Sequence, residues 1–263
     1  MNLKELQMNW NKFGKRDPLY AILLEEDKRG NKWKPEDFFE RGRQEIDHVM
    51  DYTTKKLGLT VRRSRALDFG CGVGRLTQAL ARYFETVVGI DIAPSMLKGA
   101  RKYNRFGDRC QYVLNEQADL RSFENDSFDF IYSNIVLQHM RPEYGKAYLN
   151  EFIRVLRPDG LLIFYMPSEV LWRSAVSPSK LEPRSNALLS RVKQSIKALT
   201  PKPLLRLYVK WRYDCQPVME MYCVKRAEIE AHLRQLGGDI LDACPDYNTI
   251  PNTEGFRYTV TKH

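Results

Sequence analysis

Short apolar runs alternate along this chain with longer stretches in which apolar residues recur every three or four positions. Those two periods belong to buried strands and to helices with one apolar face, so their alternation predicts a sheet of parallel strands wrapped by helices. Residues 1 to about 60 read as helices. There Pro35-Glu36-Asp37 puts proline and acids into a first helical turn, and Phe38, Phe39, Ile46, Val49 and Met50 share a face, imperfectly phased. Strands are expected at Ala66–Phe69, Thr86–Asp91, Gln111–Leu114, Phe128–Ser133 and Leu161–Met166, the last apolar throughout and so buried on both faces. Helices are expected at Arg75–Phe84, Pro94–Tyr103 and Pro142–Leu156, the last stopped by the turn Arg157-Pro158-Asp159-Gly160. Alternation breaks at Pro167. It resumes with Glu220–Val224, a helix over Arg226–Leu236 ended by Gly237-Gly238, and closing strands near Asp239–Cys244 and Phe256–Thr261.

This pattern divides the chain into a helical cover (1–60), a core (61–167), an insertion (168–218) and a closing segment that completes the core sheet (219–263). The insertion is punctuated by proline and serine, then carries Leu188, Leu189, Val192, Ile196 and Leu199 at helical spacing. It also holds most of the charge. Residues 168–216 contain ten basic side chains against three acids, a surplus of seven in a chain of net charge +9.

Bulk composition narrows the classes. At 263 residues and 43% apolar content, the chain suits one large α/β domain with an insertion. It has no run of eighteen apolar residues, and its acid-bearing first twenty residues lack the apolar core of a secretory signal. Five cysteines, odd in number and without a CxxC pair, fit reduced thiols in a cytoplasmic protein rather than a disulfide framework or a zinc site, and no metal site is expected.

The chemistry starts at Asp68-Phe-Gly-Cys-Gly-Val-Gly74, an acid and three alternating glycines between a strand and a helix. Glycine tolerates φ > 0, so this turn brings backbone close to a ligand. The dinucleotide fingerprint GxGxxG is absent, because its third glycine would fall at Arg75. Cys71 fills a slot in the turn that requires a small side chain. Asp91 ends the second strand seventeen residues after Gly74, where an acid accepts hydrogen bonds from the two ribose hydroxyls of a nucleoside cofactor. Asp119-Leu120 follows the third strand, placed to meet an adenine amino group and ring. Ser133-Asn134 ends the fourth, beside the first, where the order of a doubly wound sheet reverses.

An acid ahead of GxGxG resembles the first motif of the class I S-adenosylmethionine-dependent methyltransferases. The segments ALDFGCGVGRLT, VVGIDIAPSML, DLRSFENDSFDFIYSNIVLQH and RVLRPDGLLIF extend the resemblance over about Ser64 to Tyr165. It implies a doubly wound, mostly parallel seven-stranded α/β sheet of order 3-2-1-4-5-7-6 with an antiparallel last strand, N-terminal helices and a helical insertion after strand five. It also implies S-adenosylmethionine as cofactor, S-adenosylhomocysteine as product, and a cofactor-binding set of Asp68, Gly70, Cys71, Gly72, Gly74, Asp91, Ile92, Asp119, Leu120, Ser133 and Asn134. By that resemblance the three glycines approach the methionine and ribose, Asp68 positions the methionine amino group, Asp91 takes the ribose, and Asp119 with Leu120 takes the adenine. The methyl of a sulfonium is already electrophilic, so such a protein mainly aligns an acceptor and excludes water. His139, just past the fourth strand, is the candidate base for a protonated acceptor; a histidine that only caps or packs there is the alternative. The fourth strand ends in Ser-Asn-Ile-Val rather than the Asn/Asp-Pro-Pro-Tyr of enzymes acting on exocyclic amines, which lowers the expectation for those targets.

The expected activity is methyl transfer to a small-molecule or saccharide acceptor, at an oxygen. The basic stretch over 180–212 suits a lid for an anionic acceptor, a membrane-facing helix, a nucleic-acid surface or a solvated face packed on the core. No RNA-binding module is recognisable, which disfavours nucleic acid. RNA or protein methylation through that stretch, and a non-catalytic cofactor-binding module, are the alternatives.

Overall fold

The computed structural model describes residues 1–170, 217–246 and 253–263. The chain divides into two compact units, Met1–Val170 with Met219–His263, and Leu171–Val218. The basic helix expected over 180–212 lies outside the described residues.

Seven strands form one sheet of order β3-β2-β1-β4-β5-β7-β6. They are β1 (Arg65–Phe69), β2 (Thr86–Asp91), β3 (Cys110–Leu114), β4 (Phe128–Ser133), β5 (Leu156–Val170), β6 (Asp239–Pro245) and β7 (Thr253–Thr261). The first five run parallel, while β7 is antiparallel to both β5 and β6. The doubly wound sheet implied by the sequence is therefore present, in the implied order. Its helices are α1 (Leu3–Arg16), α2 (Pro18–Ile22), α3 (Pro35–Asp51), α4 (Arg75–Leu80), α5 (Pro94–Tyr103), α6 (Pro142–Val155) and α7 (Arg226–Gln235).

Strand alternation sorts side chains between two faces. Leu67 and Phe69 of β1, Val88 and Ile90 of β2 and Ile131 of β4 pack with Leu149 and Phe152 of α6 and Ile229 and Leu233 of α7. Ala66, Val87, Phe130, Tyr132 and Ile163 face the opposite way, onto Ile46, Val49 and Met50 of α3 and Leu76 and Leu80 of α4. Both layers converge at the carboxyl ends of β1, β2 and β4, where the crossovers leave in opposite directions. That reversal opens a crevice.

Three elements differ from expectation. Strand β5 is longer than its apolar run: Phe128 faces Leu156 and Phe130 faces Leu161, so Arg157-Pro158-Asp159-Gly160 is an outward excursion within one strand rather than its boundary. Asp159 takes φ +60° there. Residues 220–224 form no ladder; Tyr222 N–H donates to the Gln138 carbonyl at 2.7 Å and Val224 N–H to the Pro167 carbonyl at 2.9 Å. Helix α4 stops at Leu80, and all six of its residues are buried because it lies between sheet and α3.

Candidate functional site

A cavity of about 290 Å³, lined mainly by apolar side chains, lies at the crevice. Its floor is the glycine turn. The Gly70 and Cys71 N–H groups both donate to the Ile90 carbonyl at 2.9 Å, which ties the end of β1 to β2. Gly70 has φ +74°, and a Cβ there would sit 2.4 Å from Val136 Cγ2. Gly72 has φ +54°, and its absent Cβ leaves room that Ile22 Cδ1, 2.6 Å from that position, takes up. The N-terminal cover thus reaches the turn directly through α2.

Asp91 ends β2 at the wall of this cavity. One carboxylate oxygen accepts from Gly72 N–H at 2.9 Å and the other from Ala93 N–H at 2.8 Å. A carboxylate has about four lone-pair sites, so acceptor capacity remains for a further donor. Burial pushes the carboxyl up to about 6, against the pull of the backbone N–H groups of Ala93, Gly72 and Ile92. Two vicinal hydroxyls would satisfy what the backbone leaves open. On this test the residues present fit an adenosyl ribose.

The other sequence-predicted residues are distributed unevenly. Gly70, Cys71, Gly72, Ile92 and Asn134 line the cavity with Asp91. Gly74, Asp68, Asp119, Leu120 and Ser133 are not among its lining residues. Gly74 starts α4 with φ +82° and packs against the Tyr112 hydroxyl. Asp68 is buried on the α4 side, where it accepts from Thr77 Oγ1 at 2.6 Å, and burial pushes its carboxyl up to about 7. Asp119 is held by the guanidinium of Arg121, at 2.9 Å and 3.0 Å from Nε, which keeps its carboxyl below the usual range. Leu120 is fully buried in the core shared with α6. Ser133 is buried, and among the described residues its hydroxyl has no hydrogen-bond partner.

His139 lines the cavity from a short turn after β4. Its Nδ1 lies 2.9 Å from the Glu220 carbonyl, which can only accept, so Nδ1 carries the proton and Nε2 is the acceptor, with the Gln138 amide nitrogen 3.5 Å from it. Burial pushes the imidazole down, toward the neutral form. The ring of Trp10 meets it edge-on at 5.3 Å.

Several site residues escape a reading of sequence. Asn115, the first residue after β3, lines the cavity and donates to the Asp119 carbonyl at 3.0 Å, so the segment after β3 contributes an amide where an acid was expected. Arg75 is 4% exposed and pairs with Glu45 at 2.8 Å. Glu45 also accepts from the Tyr132 hydroxyl at 3.0 Å and from Asn134 Nδ2 at 2.7 Å. That hub orients Asn134 from α3, a helix with no motif to announce it. The position of Asn115, directly past an apolar run, was the signal available for it.

Among the described residues no helix is long and apolar enough to cross a membrane, and no group of three or more His, Cys, Asp or Glu is placed to hold a metal.

A family model described as a methyltransferase domain matches residues 67–164. The chain is 31% identical over 134 residues to a ubiquinone biosynthesis O-methyltransferase of Xanthomonas oryzae pv. oryzae, covering 50% of this chain and 54% of the relative. It is 32% identical over 122 residues to thiocyanate methyltransferase 1 of Brassica oleracea, covering 46% and 51%. The chain thus spans about half the length of the curated relatives it matches. Among solved structures, an S-adenosylmethionine-dependent methyltransferase from Clostridium acetobutylicum superposes with a TM-score of 0.58 at 18% identity, over 96% of this chain and 98% of that one, a likeness of fold. A methyltransferase-domain model thus matches residues 67–164 on a seven-stranded sheet whose order reverses at β1 and β4, and the fold is similar to that of solved S-adenosylmethionine-dependent methyltransferases.

Proposed function

We propose that this protein transfers a methyl group from S-adenosylmethionine to an oxygen of a small-molecule acceptor. The observation that carries this reading is the Asp91 carboxylate, braced by the backbone N–H groups of Gly72 and Ala93 and keeping acceptor capacity at the wall of the cavity. When bound there, S-adenosylmethionine supplies an electrophilic methyl group. The chain's task is then to orient and to exclude water, which its apolar lining and the cover from Ile22 and Trp10 serve. The four described cysteines carry free thiols, which supports a reducing, cytoplasmic setting.

His139 is the residue we assign to proton removal. Its neutral ring presents Nε2 as a base while the Glu220 carbonyl fixes the tautomer through Nδ1. A hydroxyl acceptor loses its proton as the methyl–oxygen bond forms, and a base placed within reach supplies about 100-fold or more. His139→Ala is expected to lower kcat on a phenolic acceptor by about 100-fold with little change in S-adenosylhomocysteine affinity. A kcat within threefold of the unmodified protein would remove His139 from this role.

The same reading has a pH signature. Asp91 accepts both ribose hydroxyls only when ionised, and burial pushes its carboxyl up to about 6. Cofactor binding must therefore release a proton below that pH and none above it. S-adenosylhomocysteine affinity should be flat from pH 7 to 8 and fall as pH drops through 6, approaching about tenfold per unit for a single linked proton. Calorimetry in buffers of different ionisation enthalpy checks both the slope and the proton count.

A further inference from the structure

We propose that a second cavity, of about 410 Å³ and adjoining the first, holds the acceptor by a carboxylate group, with Arg257 and Tyr165 as the residues that select it. Calling the occupant an acceptor rests on the proposed methyl transfer; the selection of a carboxylate does not. The two cavities share Leu23, Asn134 and Ile135 in their walls, so a molecule in the second lies next to the residues that follow β4.

The donor set is built by the sheet. Tyr165 of β5 and Arg257 of β7 are directly opposed in the antiparallel ladder, and both line this cavity. Such opposed residues share one face, with Cβ atoms about 5 Å apart. Tyr165 is 2% exposed, and among the described residues its hydroxyl has no hydrogen-bond partner. A buried hydroxyl left without a partner demands an explanation, and a ligand is one. Burial first, and then the Asp246 charge, push this phenol up, so it stays a donor at neutral pH.

Arg257 is half-buried beside the Tyr52 ring, 5.1 Å from its centroid, and among the described residues it has no carboxylate partner. The nearby acid Glu45 is committed to Arg75, Tyr132 and Asn134. A planar fork of N–H donors and an O–H carried on the same sheet face suit the two oxygens of a carboxylate. Arg257, with Glu45 and Asp246 also bordering the cavity, favours a single negative charge over the double charge of a phosphate. Tyr132 also lines this cavity, aromatic wall for the body of such a molecule.

The test uses the full chain and two probes of one shape, benzoate and benzamide, titrated calorimetrically with inorganic phosphate as a third arm. Benzoate is expected to bind at least about tenfold more tightly than benzamide, as a bidentate ion pair requires, and more tightly than phosphate. Arg257→Met should remove that preference, weakening benzoate about tenfold or more while leaving benzamide and S-adenosylhomocysteine unchanged. Tyr165→Phe should weaken benzoate by a smaller factor, about threefold. Should Arg257→Met fail to fold, Arg257→Lys keeps a charge without the fork and should lose most of the preference. Benzoate binding no tighter than benzamide, stronger binding of phosphate, or an Arg257 variant with unchanged benzoate affinity overturns the proposal. Benzoate binding by a protein that ignores S-adenosylhomocysteine would sink the methyl-transfer reading and leave this site standing.

Discussion

Asp91→Ala is expected to weaken S-adenosylhomocysteine binding by about 100-fold, the effect of losing two hydrogen bonds to a charged group at roughly 1.5 kcal/mol each. The argument is local. Gly72 N–H and Ala93 N–H already fix the carboxylate at 2.9 Å and 2.8 Å, so the side chain is oriented before any ligand arrives and little entropy is lost on binding. Removing it also leaves the Gly72 N–H without its acceptor at the floor of the cavity. Asp91→Asn keeps one acceptor oxygen and should lose about tenfold, part of the same interaction. Calorimetric titration of the three proteins gives the ranking. Equal affinities would mean that Asp91 does not hold the ribose.

Gly70→Ala should cost about 2–5 kcal/mol of folding stability, from backbone strain of roughly 1–2 kcal/mol at positive φ and overpacking of about 1–3 kcal/mol. The two contributions have separate origins. Gly70 sits at φ +74°, and the new Cβ would lie 2.4 Å and 2.5 Å from the two methyl carbons of Val136. Val136→Ala in the same chain removes the clash but not the strain, so the double variant should regain part of the loss. Denaturant midpoints at constant slope measure both steps. A Gly70→Ala protein as stable as its parent would show that the turn does not hold the conformation described.

Most of the architecture was legible because the chain repeats one physical pattern. Strands Thr86–Asp91 and Phe128–Ser133 and helix Pro94–Tyr103 keep the bounds expected from their apolar runs and from proline at a helix start. Strand β5 was read short because Arg157-Pro158-Asp159-Gly160 carries turn residues, and an excursion that returns to the same strand looks locally like an ending. Residues 220–224 are apolar enough for a strand but find only isolated backbone partners.

The site divides along the same line. Asp91 was legible because an acid closing an apolar run, at a set distance from a glycine turn, is a local pattern. Asp119 belongs to the same kind of pattern, yet Arg121 two residues on takes its carboxylate while Asn115 faces the cavity. Local sequence holds both polar residues and does not rank them. Glu45 and Ile22 act across long sequence separations, joining helices of the cover to the ends of β1 and β4. Arg257 shows its relevance only once β7 is paired with β5. Contacts of that kind are set by tertiary packing and leave no periodic trace.

Calorimetric titration of the unmodified chain with S-adenosylhomocysteine at pH 7.5 tests the central claim most directly, since the methyl-transfer reading depends on a cofactor seated between the glycine turn and Asp91. The expected result is one molecule bound per chain with micromolar affinity, and adenosine bound more weakly at the same site. No measurable heat at millimolar ligand, or an affinity that Asp91→Ala leaves untouched, would contradict it.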